Sequence, residues 1–453
     1  MAKLGVSNKM AMHQSVKQIA ETIKRFPLPV ICSLLFCILI ILHASFFSCD
    51  KTHFVILFSE CFWLISVQLY AESRRWSVGE YYLMSLPISA FIAWYFYAFN
   101  TALYAFPFLG AGLFILMFIA PFIGKAVKSA EIWWFQYRLF IQICFTTMIS
   151  ILLFIFVCFV IYSFELLFDF KLPDNLTISY MLPIIATFLA PVIAMSGIPT
   201  SYTFTSTDYP NFIRLTLSYL VIPALLVYCT VLYIYTAKIL ISWQLPIGNL
   251  AYLFSIFGVS GIVTYVACYS FRKISGIFKL FCDNFFRVLP VITILLGSAI
   301  CTRIYEFGVT ESRYFIFLLL IWFILCTFFH FFSAENKVIK LIFISIVVQL
   351  IIAAFAPFGA VSISEWSQNH RLEKILVQNG MLSDGKLHKS INKLDSKTVA
   401  DIKSIIKYLV ETEKTYKLKI WLQSDEDKSI HNNTNSITAN SVLERMGLSS
   451  ENT

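Results

Sequence analysis

Apolar stretches of about twenty residues, separated by short polar turns, follow one another over roughly the first 360 positions of the 453-residue chain. They run at 27–47, 53–70, 81–99, 103–123, 139–161, 178–199, 215–240, 248–270, 288–304, 314–332 and 341–358. A helix rises 1.5 Å per residue, so most of these stretches reach across about 30 Å of hydrocarbon. Helix is also the form that bonds every amide internally where no water can. The pattern therefore predicts an all-α, polytopic transmembrane helix bundle of about eleven spans over 27–360. Ahead of it, residues 1–26 form a cytoplasmic leader. Val16, Ile19, Ala20 and Ile23 share one helical face there, and Lys17, Lys24 and Arg25 lie off it, as suits a helix resting on an anionic leaflet. After residue 360 the periodicity changes, and 361–453 read as a small soluble C-terminal α/β domain. Val399, Ile402, Ile405, Ile406 and Leu409 mark an amphipathic helix, with Thr398 and Asp401 as its capping pair. Tyr416, Leu418, Ile420 and Leu422 alternate with Lys417, Lys419 and Trp421 and predict a short strand. A last helix is expected from Ser441 to Met446, stopping at Gly447.

Composition agrees with a lipid environment. The chain is 58% hydrophobic and 13% charged, where soluble domains carry about 25% charge. The net charge of +9 would suggest nucleic acid in a soluble protein, but its distribution speaks for orientation instead. Sorted by loop parity, 17 Lys and Arg fall on one side of the membrane region and 5 on the other. By the positive-inside rule the N-terminus is cytoplasmic. Eleven crossings then leave the C-terminus periplasmic, and merging or dropping one short span would return it to the cytoplasm. The polar start is too long for the n-region of a cleaved signal peptide. The cysteines fall mostly inside apolar stretches and read as small packing residues, with Cys49 and Cys61 the one pair worth considering as a disulfide. Two basic segments, 124–138 with Trp133, Trp134, Phe135 and Tyr137, and 271–287 with Ile277, Phe278 and Phe281, look like interfacial helices whose rings sit among headgroups.

Candidate chemistry is sparse. Glu60 stands near the middle of the second span, where a carboxyl needs a partner or a proton, and it is the candidate intramembrane functional residue. His43 and His330 lie near span ends with no second histidine at helical spacing, so no metal site is expected. The sixth span carries Pro183, Pro191 and Pro199 beside an alanine ridge at Ala186, Ala190 and Ala194. Prolines free carbonyls and bend a helix, as in the broken helices of transporters, which makes this the candidate pathway helix. A hydroxyl-rich loop, Thr200 to Asp208, follows it. Asn175-Leu176-Thr177 and Asn432-Asn433-Thr434 match the glycosylation sequon. No nucleotide-binding loop, dinucleotide fingerprint, hydrolase triad or zinc spacing is present, and no cofactor is expected.

Three stretches in order carry a family likeness: IPALLVYCTVLYIYTAKILISWQLPIGNLAYLFSIFGVSGIVTYVACYSFR from Ile222 to Arg272, IYEFGVTESRYFIFLLLIWF from Ile304 to Phe323, and APFGAVSISEWSQNHRLEKIL from Ala356 to Leu376, followed by Asp384-Gly385-Lys386-Leu387. The sequence resembles the bacterial inner-membrane family known as domain of unknown function 4153. That resemblance implies a multi-pass protein of the bacterial inner membrane and carries over no catalytic residue. Within the second stretch, Arg303, Glu306, Glu311 and Arg313 bracket a turn at Gly308 and are expected to form an outer-face ion-pair cluster joining spans 9 and 10. In the third, Glu365, Arg371, Glu373 and Lys374 begin a charged helix suited to the outer interface.

These features lead to a membrane scaffold or signalling component with an extracytoplasmic tail, whose partners are the lipid bilayer and a protein engaged by residues 361–453. The alternative is a transporter or channel for a small solute or ion working through Glu60 and the sixth span. An enzyme acting on lipid or envelope glycan ranks last, because no spacing supports it.

Overall fold

The computed structural model describes residues 17–45, 50–99, 105–168, 176–202, 210–242, 250–272, 274, 276–383, 385–388, 394–412, 414–422 and 438–448. Helix α1 covers 17–25, and α2 (Pro27–Ser45), α3 (Lys51–Arg74), α4 (Val78–Ala98) and α5 (Phe106–Met117) follow. Then come α6 (Ser129–Phe168), α7 (Thr177–Ser196), α8 (Asn211–Ser242), α9 (Ala251–Phe271), α10 (Gly276–Phe307), α11 (Glu311–Phe332) and α12 (Val338–Ala354). The tail holds α13 (Ala360–Gln378), a hairpin of β1 (Leu382–Ser383) and β2 (Lys386–Leu387), α14 (Ser396–Glu411), α15 (Tyr416–Leu422) and α16 (Ala439–Arg445).

Every apolar stretch read from the sequence carries a helix. Among the described residues, nine helices are both long and apolar enough to cross a membrane. Two of the eleven expected spans do not meet that standard. The 21-residue α4 is diluted by Glu80 and by Tyr81, Tyr82, Tyr95 and Tyr97, and α5 has only 12 residues before the chain tightens into a 3-10 turn at Ala120–Phe122.

Local chemistry sets the helix ends. Asp50 accepts from the Thr52 amide at the start of α3, and Arg75 closes that helix at φ 57°. Ser77 and Glu80 form a reciprocal capping box on α4. Gly308, at φ +70°, turns the chain between α10 and α11 in a conformation that favours glycine.

The membrane part has two cores. One joins α6 to α12 through Phe254, Phe285, Phe286, Phe323 and Ile339, and the other joins α2 to α5 with α11 and α12 through Trp63, Leu109, Leu318 and Leu350. Small residues allow the close approaches expected where lipid removes the hydrophobic drive between helices. A methyl group at Gly258 would collide with the Phe323 ring, and one at Gly261 with the Phe285 ring.

Four expectations are corrected. The aromatic residues of 129–138 and 276–287 are not on separate interfacial helices, since these segments are the first turns of α6 and α10. Trp133, Phe135, Phe278 and Phe286 are buried, because rings this large bury more area against other helices than among headgroups. The segment Tyr416–Leu422 is helical, and its spacing brings Leu418 and Trp421, three apart, into the tail core. The cap of α14 is Asp395, with no side-chain bond, while Asp401 pairs instead with Arg371 at 2.9 Å. Finally, α7 ends at Ser196, so Pro199 lies beyond the helix it was assigned to. The remaining tail expectations fare differently: α14 spans the amphipathic segment, with Ile402, Ile405, Ile406 and Leu409 buried, and α16 ends just before Gly447 at φ +73°. Cys49, Asn175, Asn432, Asn433 and the loop from 203 to 208 lie outside the described residues.

Candidate functional site

Glu60 sits on the buried face of α3, 7% exposed, between α2 and α4. Ser89 of α4 donates to its Oε2 at 2.5 Å, and its Oε1 is buried with no hydrogen-bond partner. Beside it, the Cys61 and Cys32 sulfurs stand 3.4 Å apart across the α2–α3 contact, both as thiols. Ser59 Oγ is spent on the Val55 carbonyl. Glu60 thus has one hydroxyl partner and one bare oxygen in a region of low dielectric. That arrangement can hold a proton or receive a cation or donor arriving along the helix contact.

The proline helix is wound as π-helix over Leu176–Met181 and Ile184–Leu189 before regular helix resumes at Ala190. Pro183 precedes the second π-turn, and Pro191 stands at its exit, one residue into the regular helix. Side chains also donate to carbonyls of this segment. Thr187 donates to the Pro183 carbonyl at 2.7 Å, and Gln142 of α6 to that of Ile193 at 3.0 Å. The Pro199 carbonyl accepts from Arg25 at 3.0 Å. Glu60 and the prolines are not in direct contact through any of these bonds.

The basic segments meet at one end of the bundle. Arg25 grips Glu72 with two bonds of 2.9 and 2.8 Å and also donates to the Ile198 carbonyl at 2.6 Å. Tyr202 donates to Glu72 at 2.9 Å, and burial followed by that carboxylate holds its phenol well above the usual tyrosine range. Arg74 donates to the Ile123 carbonyl at 3.0 Å, Lys125 to that of Ser73, and Lys340 to that of Lys125 at 2.9 Å. Arg272 pairs with Glu335, whose carbonyl also accepts from Tyr269 and Ser129. Thus the turns assigned to one side by loop parity lie together.

The tail docks at the opposite end. Glu311, the first residue of α11, accepts from Tyr408 at 2.6 Å and from Lys414, whose side chain is fully buried. Lys414 also donates to the Tyr408 hydroxyl at 2.9 Å. Burial first, and then Glu311, holds the Tyr408 phenol far above its ordinary range. Gln368 donates to the carbonyls of Phe307 and Val309 at 3.0 and 2.9 Å, and Ser367 accepts the Val309 amide at 2.9 Å. Helix α13 therefore caps the turn that ends α10. Of the expected outer cluster, Glu311 is engaged by the tail. Arg313 donates to the carbonyls of Phe307 and Gly308 at 3.0 and 2.8 Å, and Glu306 is exposed on the last turn of α10, two residues short of Gly308. Arg303, half-buried on α10, has Arg313 as a charged neighbour.

Sequence reasoning missed Tyr408 and Lys414. They sit 97 and 103 positions from Glu311 in a tail that reads as solvated, and no local spacing signals either. Arg25 and Glu72 were equally hidden, although Glu72 is one of only two acids, with Glu80, in the basic turn after the second span.

Helices of this length and apolarity, packed around two internal cores, define a polytopic helical membrane protein. A family profile described as "domain of unknown function (DUF4153)" matches residues 30–390, and the chain belongs to that family. An uncharacterised protein of Pasteurella multocida (strain Pm70) is 27% identical over 165 residues, which cover 34% of this chain and 26% of that protein. The chain thus matches only about a quarter of that curated relative's length. No solved structure matches.

Proposed function

We propose that the chain is a scaffold of the bacterial inner membrane, with its N-terminus in the cytoplasm and its tail in the periplasm, where residues 361–453 hold a protein partner. The observation that carries this reading is the docking of the tail through fully buried Lys414 on Glu311, at the end of the bundle opposite the clustered basic turns. The positive-inside bias then assigns the sides. The seam is built to keep the tail in one orientation. Helix α13 lends Ala360 and Val361 to the membrane core, and Leu372 and Leu376 to the tail core. A rigidly mounted tail presents a fixed surface, and Trp366, stacked on His370 and 67% exposed, is a large aromatic group available on it. Two experiments test the reading. A periplasm-active reporter fused after Thr453 should be active, and activity of a cytosol-active reporter instead would overturn the orientation. Chemical crosslinking of whole cells should give a discrete partner adduct with the full chain and none after deletion of 362–453. An adduct unaffected by the deletion would remove the tail from the role.

One observation favours a second reading, a pathway for a proton or small cation: the bare Oε1 of Glu60. Replacing Glu60 with Gln should then abolish proton or cation flux into vesicles containing the full chain, while flux equal to wild type would discard it.

A further inference from the structure

A crevice of about 400 Å³ opens on the flank of the bundle between α5, α6, α8 and α9, with Phe343 of α12 also in its lining. Its walls are almost wholly apolar, with Phe140 and Phe212 exposed at its mouth and Val263 along one side. Gln136 breaks that pattern. It lines the crevice, is 7% exposed, and neither its amide nitrogen nor its amide oxygen has a hydrogen-bond partner. A buried primary amide left in this state carries a desolvation cost that an arriving donor or acceptor would relieve.

The crevice lies toward the basic end. Trp133, another of its lining residues, donates to the Ala267 carbonyl at 3.1 Å and stacks on Tyr137 one turn away, on the same end as Arg25, Arg74, Lys125 and Arg272. Arg214 stands on the same short turn as Phe212 and Ile213, exposed beside the mouth. An apolar slot in the hydrocarbon, a single amide at ester depth and cations at its rim match one molecule in particular. We propose that this crevice is a binding site for one anionic glycerophospholipid of the leaflet at the basic end, with an acyl chain in the slot, an ester carbonyl accepting from the Gln136 amide, and the phosphate drawn to Arg214.

The test uses the full chain in vesicles of phosphatidylcholine containing a minor fraction of phosphatidylglycerol with a photoactivatable acyl chain. Labelling should concentrate in peptides 133–140 and 212–217 and saturate at one lipid per chain. Gln136→Leu should lower the apparent affinity about tenfold, the effect of losing one buried hydrogen bond. Arg214→Gln should reduce the preference for phosphatidylglycerol over an equally labelled phosphatidylcholine by about fivefold. Val263→Trp, which fills the slot, should abolish saturable labelling even if Gln136→Leu fails to insert. Labelling spread evenly around the bundle and linear in lipid would overturn the site. So would a wild-type pattern in Val263→Trp. Equal occupancy by both lipids in the wild-type chain would overturn the anionic headgroup.

Discussion

The two ends of this bundle hold their charges in opposite ways. At the basic end, cations from five different segments are shared out among backbone carbonyls and two carboxylates, Glu72 and Glu335. Each contact there is partly exposed, and several do similar work. At the tail end one carboxylate, Glu311, anchors the C-terminal segment by holding a lysine with no exposed surface and a tyrosine hydroxyl. A distributed arrangement tolerates the loss of a member, whereas a dry, concentrated one does not. Removing one partner of a buried pair leaves an uncompensated charge, which costs more than the pair itself gains.

Mutations can test that contrast in order of size. Glu311→Leu strands Lys414 and should weaken tail docking by about 3–5 kcal/mol, read as hydrogen exchange of the amides of α14 rising while those of α9 and α10 hold steady. Arg25→Gln, at the other end, removes two bonds to Glu72 and two to carbonyls, yet water can replace part of them. It should cost about 2 kcal/mol in detergent unfolding. If it matched Glu311→Leu, the distributed picture would fall. Alkaline pH separates the ends again. The folded Tyr408 phenol titrates above the ordinary value near 10, so its contribution is complete below that pH and drains away as the pH climbs toward the raised value. At about pH 11, protease should therefore cut between bundle and tail while the membrane part stays intact. The smallest effect belongs to Lys407→Ala, whose exposed partner Glu411 lies one turn away at 3.7 Å. About 0.3–0.5 kcal/mol in tail stability is expected.

What could be read in the chain follows the range of the physics involved. Hydropathy and loop charge are local sums, so the helical stretches and the grouping of Arg74, Lys125, Arg272 and Lys340 at one end were legible without coordinates. Glu60 was legible as an oddity, since a carboxyl amid apolar residues needs explaining wherever it points. Its partner Ser89 was not, because nothing within α4 marks one serine among its turns. The same limit hid Lys414, which looks like any surface lysine until the fold brings Glu311 over it. The alternation of Tyr416, Leu418, Ile420 and Leu422 pointed to a strand because seven residues are too few to tell a period of 2 from one of 3.6 when Trp421 is also apolar. The aromatic segments at the starts of α6 and α10 misled in another way, for tryptophan and tyrosine beside lysine suit both an interface and a core.

The 40-residue α6 has one further consequence. From Leu139 to Phe168 it is wholly nonpolar apart from a few hydroxyls, a glutamine and Glu165, and its far half, including Phe156, Phe159 and Leu167, touches little of the protein. At 1.5 Å per residue that portion is about 45 Å long, against about 30 Å of hydrocarbon. A rod half again too long for its medium can satisfy the mismatch only by leaning or by stretching the lipid around it. Leaning requires no new bonds, so the angle of α6 follows the depth of oil it stands in, and a thicker patch of membrane would bring it closer to upright.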